Sequence, residues 1–382
     1  MTPPPQSNLR IDEVRSRGDR EAFLKMPWPI YADDPLWVPP LLAERRDFLN
    51  QRKHPFFRHG SAAMFIARRD GEAVGRILVS DDPNYNAQHQ SNVGCFGMFE
   101  SIDDLSVAKA LLDTAAGWLR SRGRDHMLGP IDYSTNYTCG LLIDGFDTPP
   151  RVLMNHNPVY YQRLLESYGL VKAKDLYSWW FHDEFRLEDR WLKLAERFAK
   201  RGRVVVRPVD LKDFKNEVER CKKVYNEAWS HNWGFVRMTD LEFEDFAKGL
   251  VDWMPPELVL LAEIDGEVAG LAMTLPDFNE ALKPLDGRLF RWGLPLGLWE
   301  FKRNLKKVRT GRLIALGVLE PFRRRGATEL LILNTLIYAK KYANIDRAEL
   351  GWTLEDNTLI NRAIEASGGH RYKTYRIYER GI

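Results

Sequence analysis

Cysteine is scarce: Cys95, Cys139 and Cys221 are the only three in a chain of 382 residues. They lie far apart, without the close pairs that hold zinc or cycle as a redox couple, and a reducing, cytoplasmic setting is expected. Excess charge is also lacking. With 56 basic against 53 acidic residues the formal charge is +3, too little to draw nucleic acid or an anionic membrane to the whole surface, so any basic site has to be local. No apolar run approaches the roughly 18 residues that a spanning helix needs. The Pro-rich, polar stretch Met1 to Asn8 has neither the basic nor the apolar part of a secretory leader. What is present is an ordinary globular balance, 44% hydrophobic and 29% charged, in a length that suits two or three domains of about 150 residues.

An internal repeat organises that length. Ala67 to Gly75 and Ala262 to Gly270 share the pattern A-x-x-D-G-E-x-x-G, with apolar runs on both sides. Asp-Gly supplies positive φ, so each copy predicts a β-hairpin with a tight turn. An apolar strand ending in Glu follows each, Val93 to Glu100 and Leu313 to Glu320. Helical periodicity then appears over Val107 to Leu119 and Thr328 to Tyr342. A strand and a second helix ending at glycine close each copy, with Leu165 to Gly169 answering Ile364 to Gly368. Each half carries its own insertion, near 132–151 in the first and 276–310 in the second. Duplication of one fold explains this order, and two unrelated α/β domains sharing one hairpin motif are the alternative.

The stretch that carries chemistry runs from Leu313 to Tyr342. An apolar strand meets Pro321, and Phe322-Arg323-Arg324-Arg325-Gly326-Ala327-Thr328 then opens a helix. Proline ends the strand, glycine lets another backbone or ligand approach, and the first helical turn has amides without intrahelical acceptors. Together with the positive dipole end and the adjacent arginines, this makes an anion site suited to a pyrophosphate. The plainer reading is a solvated basic turn.

The order hairpin, strand, Arg-x-x-Gly-x-small, long helix, strand, Asn-headed helix, final strand resembles the GNAT superfamily of acyl-CoA-dependent N-acetyltransferases. That family's phosphate loop, (Gln or Arg)-x-x-Gly-x-(Gly or Ala), is matched by Arg323, Gly326 and Thr328. The threonine departs from the pattern but brings a hydroxyl that could cap the helix. The resemblance covers 204–382 well and the first half in outline. It implies an α/β (α+β) fold of two tandem GNAT-like domains, each a mixed, mostly antiparallel sheet flanked by helices. A degenerate domain spans 1–185, a connecting helix 186–203, and an acyl-CoA-binding domain 204–382. It also implies that amides of Arg323, Arg324, Arg325, Gly326, Ala327 and Thr328 grip the coenzyme A pyrophosphate. Splayed strands would expose Leu316, Gly317 and Val318 to the pantetheine arm, with Asn357 heading the next helix. The tyrosine that commonly protonates the leaving thiolate is replaced by Ile364. Tyr372, Tyr375 and Tyr378 could substitute only by facing the cleft, and read more simply as packing or surface residues.

Acyl transfer to an amine requires a positioned thioester and removal of a proton from an ammonium. Glu349, Glu355 and Asp356 are candidate bases, although such a residue is more often a solvated strand-end carboxylate. His231 and Trp233, with Tyr137 and Asn136 from the first half's insertion, are candidates for the acceptor pocket; helix-turn packing and a surface connector explain the same residues. The first half has Asp103 and Asp104 where the second has arginines, which repels a pyrophosphate. Residues 289–309, apolar with two tryptophans and then basic, read as a lid, as a membrane-surface or lipid contact, or as a helix packed between the halves. The expected function is transfer of an acyl group, most simply from acetyl-CoA or else from another acyl-CoA, to a primary amine of a small-molecule or peptide acceptor by direct attack. Neither a metal nor nucleic acid is expected. A non-catalytic acyl-CoA-binding or protein-interaction module and an aminoacyl-tRNA-dependent transferase are the rival readings.

Overall fold

In a computed structural model, which describes residues 8–181 and 203–382 together with Lys193 and Arg197, the chain divides into two compact units. The connecting helix expected over 186–203 lies outside the described residues but for Lys193, Arg197 and Arg203. The first unit runs to Leu176 and takes in Asp286–Leu289 and Thr374–Ile382; the second holds Tyr177–Leu285 and Phe290–Lys373. Within the first unit, Trp28 Nε1 donates to Asp286 at 2.7 Å.

Strands of the first unit are β1 (Leu9–Glu13), β2 (Ser61–Arg69), β3 (Glu72–Asp81), β4 (Val93–Ser101), β5 (His126–Gly129), β6 (Leu141–Asp144) and the first part of β7 (Val171–Phe181). β1 to β4 pair in sequence and antiparallel, and β5 joins β4 in parallel. Tyr378–Gly381 of the final strand then pairs antiparallel with β5. The expected hairpin turn is present, with Asp70 at φ 51° and Gly71 at φ 92°, the left-handed pair that a two-residue turn requires. Helix Leu105–Arg120 buries Val107, Ala108, Leu111, Leu112, Ala115 and Leu119 against β2, β3 and β4. That spacing is one helical stripe, and truncating a buried leucine such as Leu111 to alanine would cost about 2–5 kcal/mol.

The second unit repeats the plan with β8 (Val204–Pro208), β9 (Val259–Ile264), β10 (Glu267–Pro276), β11 (Thr310–Val318) and β12 (Arg347–Leu354). β8 to β11 are antiparallel neighbours in sequence order, and β11 pairs β12 in parallel. Asp265 and Gly266 turn the hairpin at φ 54° and 84°. Helix Phe214–Ala228 packs one face of this sheet and helix Ala327–Ala343 the other. Both units are therefore α/β, each a mixed, mostly antiparallel sheet flanked by helices.

The structure corrects one detail of the repeat. Val93 faces His126 as Thr310 faces Arg347, and Gly75 faces Ser101 as Gly270 faces Val318. Glu100 therefore answers Gly317, three residues away from Glu320. The second strand stops at Val318, and Glu320 belongs to a 3-10 turn, Glu320–Phe322, formed where Pro321 removes a strand donor. Ile102 and Leu319 are the shared anchors, donating to Val74 O and Ala269 O. Between anchor and helix lie only Asp103 and Asp104 in the first half, but Glu320 through Gly326 in the second.

Candidate functional site

The site starts where β11 leaves β12. Their pairing ends at Leu313 opposite Leu350, although β11 continues to Val318 and β12 to Leu354. On its other side β11 carries an extra residue, Ile314, because Met273 faces Ala315 while Thr274 faces Leu313. A bulge of this kind sharpens twist and turns the strand away from a neighbour. The freed stretch includes Leu316, Gly317 and Val318. A Cβ at Gly317 would sit 2.5 Å from the Trp229 ring, so only glycine lets the end of helix Phe214–Ala228 lie against the strand.

At the far end of β11 the chain passes through Arg324 at φ 64° and Gly326 at φ 96° into helix Ala327–Ala343. Among the described residues no acceptor meets the N–H groups of Arg324, Arg325, Gly326, Ala327 and Thr328. Amides that converge at a helix start without acceptors are a receptor for an oxyanion. Two expectations need correction. The Arg323 N–H is engaged, donating to Glu320 O at 3.2 Å, because the 3-10 turn closes on it. Thr328 caps nothing: Gly326 is the cap residue and no side-chain cap bond forms, which places Thr328 inside the first turn. Arg323 Nε reaches Val318 O at 3.3 Å, and Arg325 pairs with Asp265 at 2.8 Å. Arg324 is exposed and has no partner among the described residues.

The candidate bases fall in two places. Glu349 is not a solvated strand-end group: it has 0% exposure. One of its oxygens accepts from Arg312 Nε at 2.7 Å and the other from the Tyr372 hydroxyl. Arg312, also buried, donates an N–H of Nη2 to Gly351 O at 2.8 Å. A buried carboxylate held by a guanidinium and a phenol is satisfied yet costly to build. It lies one residue before the strands part. Glu355 and Asp356 stand past the end of β12, roughly 17 Å of strand from Glu349. There Asn357 N–H donates to Leu354 O, and Asn357 heads helix Thr358–Ala366 without a side-chain cap bond.

Ile364 is buried against Trp179 and Phe181, so the position that resembles the family's tyrosine faces a core. Tyr375 and Tyr378 are fully buried in the first unit, as packing residues. Tyr372 is the exception, through its bond to Glu349. His231 is exposed and Trp233 half-buried in the turn after helix Phe214–Ala228. Tyr137 belongs to the first unit, where it packs with Phe48 and His54, and Asn136 N–H reaches Ser134 Oγ at 3.3 Å. The sequence reading missed Arg312 and its tie to Glu349. A lone arginine in the apolar run of β11 was the available signal. Burial pushes the Cys95 thiol up and the Cys221 thiol to about 12, so neither is a thiolate near neutral pH. Among the described residues no cluster of His, Cys, Asp or Glu is placed to hold a metal ion.

In the first unit the same frame is filled by its own chain. β4 carries its bulge at Met98 and parts from β5 after Cys95. There Ile131 N–H donates to Phe96 O at 2.6 Å, and Met98 N–H donates to Asp132 Oδ1 at 2.9 Å. At the helix start, Asp104 accepts from Ser106 N–H at 2.7 Å and pairs with Arg69 at 2.7 Å. The Ser106 hydroxyl, which donates to the same carboxylate at 2.7 Å, is the largest cause that holds its carboxyl down at about 2, with the Arg69 and Ser106 N–H bonds adding to it. In register with Arg312 and Glu349 stand Cys95 and Leu128, an apolar pair.

Residues 218–365 match the sequence profile of the Acetyltransferase (GNAT) family. The chain is 36% identical over 383 aligned positions to "Bacterial ceramide synthase" of Caulobacter vibrioides (strain NA1000 / CB15N), covering 98% of each. It is 35% identical to "Protein YghO" of Escherichia coli (strain K12), covering 96% of this chain and 94% of that one. Among solved structures, a tandem GNAT protein from the clavulanic acid biosynthesis pathway superposes with a TM-score of 0.57 at 12% identity, covering 98% of both chains. That last likeness is one of fold.

Proposed function

The chain belongs to the acetyltransferase (GNAT) family, whose members use acyl-CoA, and from that premise we propose that residues 204–382 bind a long-chain acyl-CoA and transfer its acyl group to the amine of a lipid-like amino alcohol. A ceramide is by definition such an amide, and the Caulobacter relative, alike over nearly its whole length, carries that name. In this proposal a long-chain donor takes the place of acetyl-CoA, the simplest donor expected from sequence.

The observation that carries the proposal is the row of unengaged amides from Arg324 to Thr328 beside an opened strand pair. These amides fit a pyrophosphate, and the Arg324 guanidinium adds a charge-assisted bond. Arg323 and Arg325 join by exchanging their present partners. Leu316, Gly317 and Val318 line the arm of the coenzyme with backbone groups, and Asn357 stands at the head of the next helix. Bound acyl-CoA supplies the activated thioester carbonyl. Glu349 takes up, through the Tyr372 hydroxyl bonded to it, the proton that the acceptor ammonium must lose; the freed amine nitrogen then bonds the thioester carbon, the carbon–sulfur bond breaks, and the coenzyme leaves as a thiolate that takes its proton from solvent. Glu355 and Asp356, past the end of β12, are left outside this step. His231 and Trp233 form part of the acceptor wall. For Tyr137 and Asn136, bonded within the first unit, the proposal assigns no contact to the acceptor.

The test is incubation of the purified protein with acetyl-CoA, palmitoyl-CoA and a long-chain 2-amino alcohol, following free thiol and product mass. Palmitoyl amide is the expected product. Acetyl amide alone would return the donor to acetyl-CoA. Binding of either thioester without thiol release over a panel of amines would support a non-catalytic acyl-CoA binder. Absence of binding would reject the site.

A further inference from the structure

Residues 290–309 do not form a buried helix. Arg291 and Leu294 exchange backbone bonds of 3.0 Å, closing a two-residue turn with Trp292 at φ 52° and Gly293 at φ 78°. A bulky residue in the left-handed region is a strained choice, and here it lifts an indole away from the protein: Trp292 is 90% exposed. Phe290, Leu294 and Trp299 are 61%, 56% and 64% exposed. Helix Leu296–Leu305 follows, with Leu296, Trp299 and Arg303 on one face by their three- and four-residue spacing. Its opposite face is anchored, Phe301 being buried and edge-on to Trp253 at 5.3 Å. Arg291 pairs with Glu300 at 3.4 Å, tying hairpin to helix. The exposed side is thus a rigid display. No described residue packs on Trp292.

Charge identifies the occupant. Between 290 and 309 there are six basic residues and one acidic residue, Glu300, and Glu300 is spent on Arg291. Lys302, Arg303, Lys306 and Lys307 are exposed beside the aromatics, and the Arg303 guanidinium lies 4.9 Å over the Trp299 ring. A second copy of the chain would bring two such cationic patches together at a repulsive cost. Anionic phospholipid meets both halves of the patch: indoles and aliphatic side chains settle at the headgroup boundary, and the cations face phosphate.

We propose that this hairpin and helix form an interfacial anchor, holding the protein on the surface of an anionic bilayer without spanning it. No helix among the described residues is long and apolar enough to cross a membrane. An interfacial attachment through a basic, aromatic patch is reversible and depends on salt. The inference does not rest on the acyl-transfer reading.

The experiment is flotation of the full chain with vesicles of phosphatidylcholine alone or mixed with phosphatidylglycerol. Wild type is expected to float with the mixed vesicles and to be released by high salt. Trp292→Ser with Trp299→Ser should lose at least tenfold in partitioning. Each of Lys306→Gln and Lys307→Gln should lose about fivefold. All these side chains are on the surface, so thermal melting and acyl-CoA binding by calorimetry should stay at wild-type values. The proposal is overturned if phosphatidylglycerol has no effect or if the tryptophan variant floats as wild type does. It is also overturned if wild type dimerises on gel filtration and the variant does not, which would assign the patch to a second copy.

Discussion

The two halves share a hairpin, a bulged middle strand and a parallel strand pair that parts after three or four residues. They differ in who meets the freed backbone groups. In the first half the protein meets its own: Ile131 and Asp132 bond β4, and Asp104 lays a carboxylate on the helix start. In the second half, seven residues with arginines and a left-handed glycine replace the short acidic turn, and the amides from Arg324 to Thr328 have no acceptor among the described residues. One frame is self-ligated; in the other, the amides at the helix start are left without acceptors among the described residues. Buried charge separates them in the same way. Arg312 and Glu349 occupy the register that Cys95 and Leu128 fill in the first half. Under the proposed function the ion pair serves proton transfer, a part that the apolar pair of the first half does not have.

That contrast is open to attack from either side. The largest effect is expected from Glu349→Gln: if the carboxylate moves the proton, kcat falls about 100-fold or more with acyl-CoA affinity retained in calorimetry. Tyr372→Phe should lower kcat less. Equal loss of kcat and affinity would make the pair structural. Thr328→Asp copies the first half's negative charge into the second half's first turn. Repulsion of about 2 kcal/mol at the helix start, roughly 30-fold in Kd, is the expected outcome, and unchanged affinity would detach the loop from the phosphates.

From the other half, Asp132→Ala strips the bulge of its internal acceptor and leaves a half-buried Met98 amide without that partner. Urea unfolding should show a loss of about 2 kcal/mol, and Asp132→Asn, which keeps an acceptor, should lose less. The smallest effect comes from Asp104. Its folded-state value of about 2 lies below the ordinary 3.8, so its contribution is present above about pH 4 and fades as pH falls through 2. Asp104→Asn should flatten that part of the urea-midpoint profile. A profile identical to wild type would mean that the cap bond does not form.

What the sequence revealed is what local chemistry determines. Asp-Gly dictates the two hairpin turns, leucine and alanine spacing dictates helix Leu105–Arg120, and Pro321 with Gly326 marks the loop. What escaped it depends on pairings distant in the chain. Two strands ending in Glu looked equivalent until hydrogen-bond register matched Glu100 to Gly317. Thr328 looked like a cap because cap residues are recognised by type, whereas the helix began one residue earlier. Arg312 and Glu349 lie 37 residues apart, on strands whose parallel alignment no turn dictates. Asp132 reads as an ordinary loop acid until the insertion is seen folded back on β4.

Residues 374–382 belong to the first unit, where Tyr375, Ile377 and Tyr378 are fully buried and Arg376 holds Asp175 with bonds of 2.7 and 3.0 Å. A ribosome that has finished the first 181 residues has therefore not yet made the strand that covers β5. The first unit must wait, incomplete, until residues 374–382 emerge, and a stop codon ahead of residue 374 would leave β5, about 250 residues earlier in the chain, without its neighbouring strand.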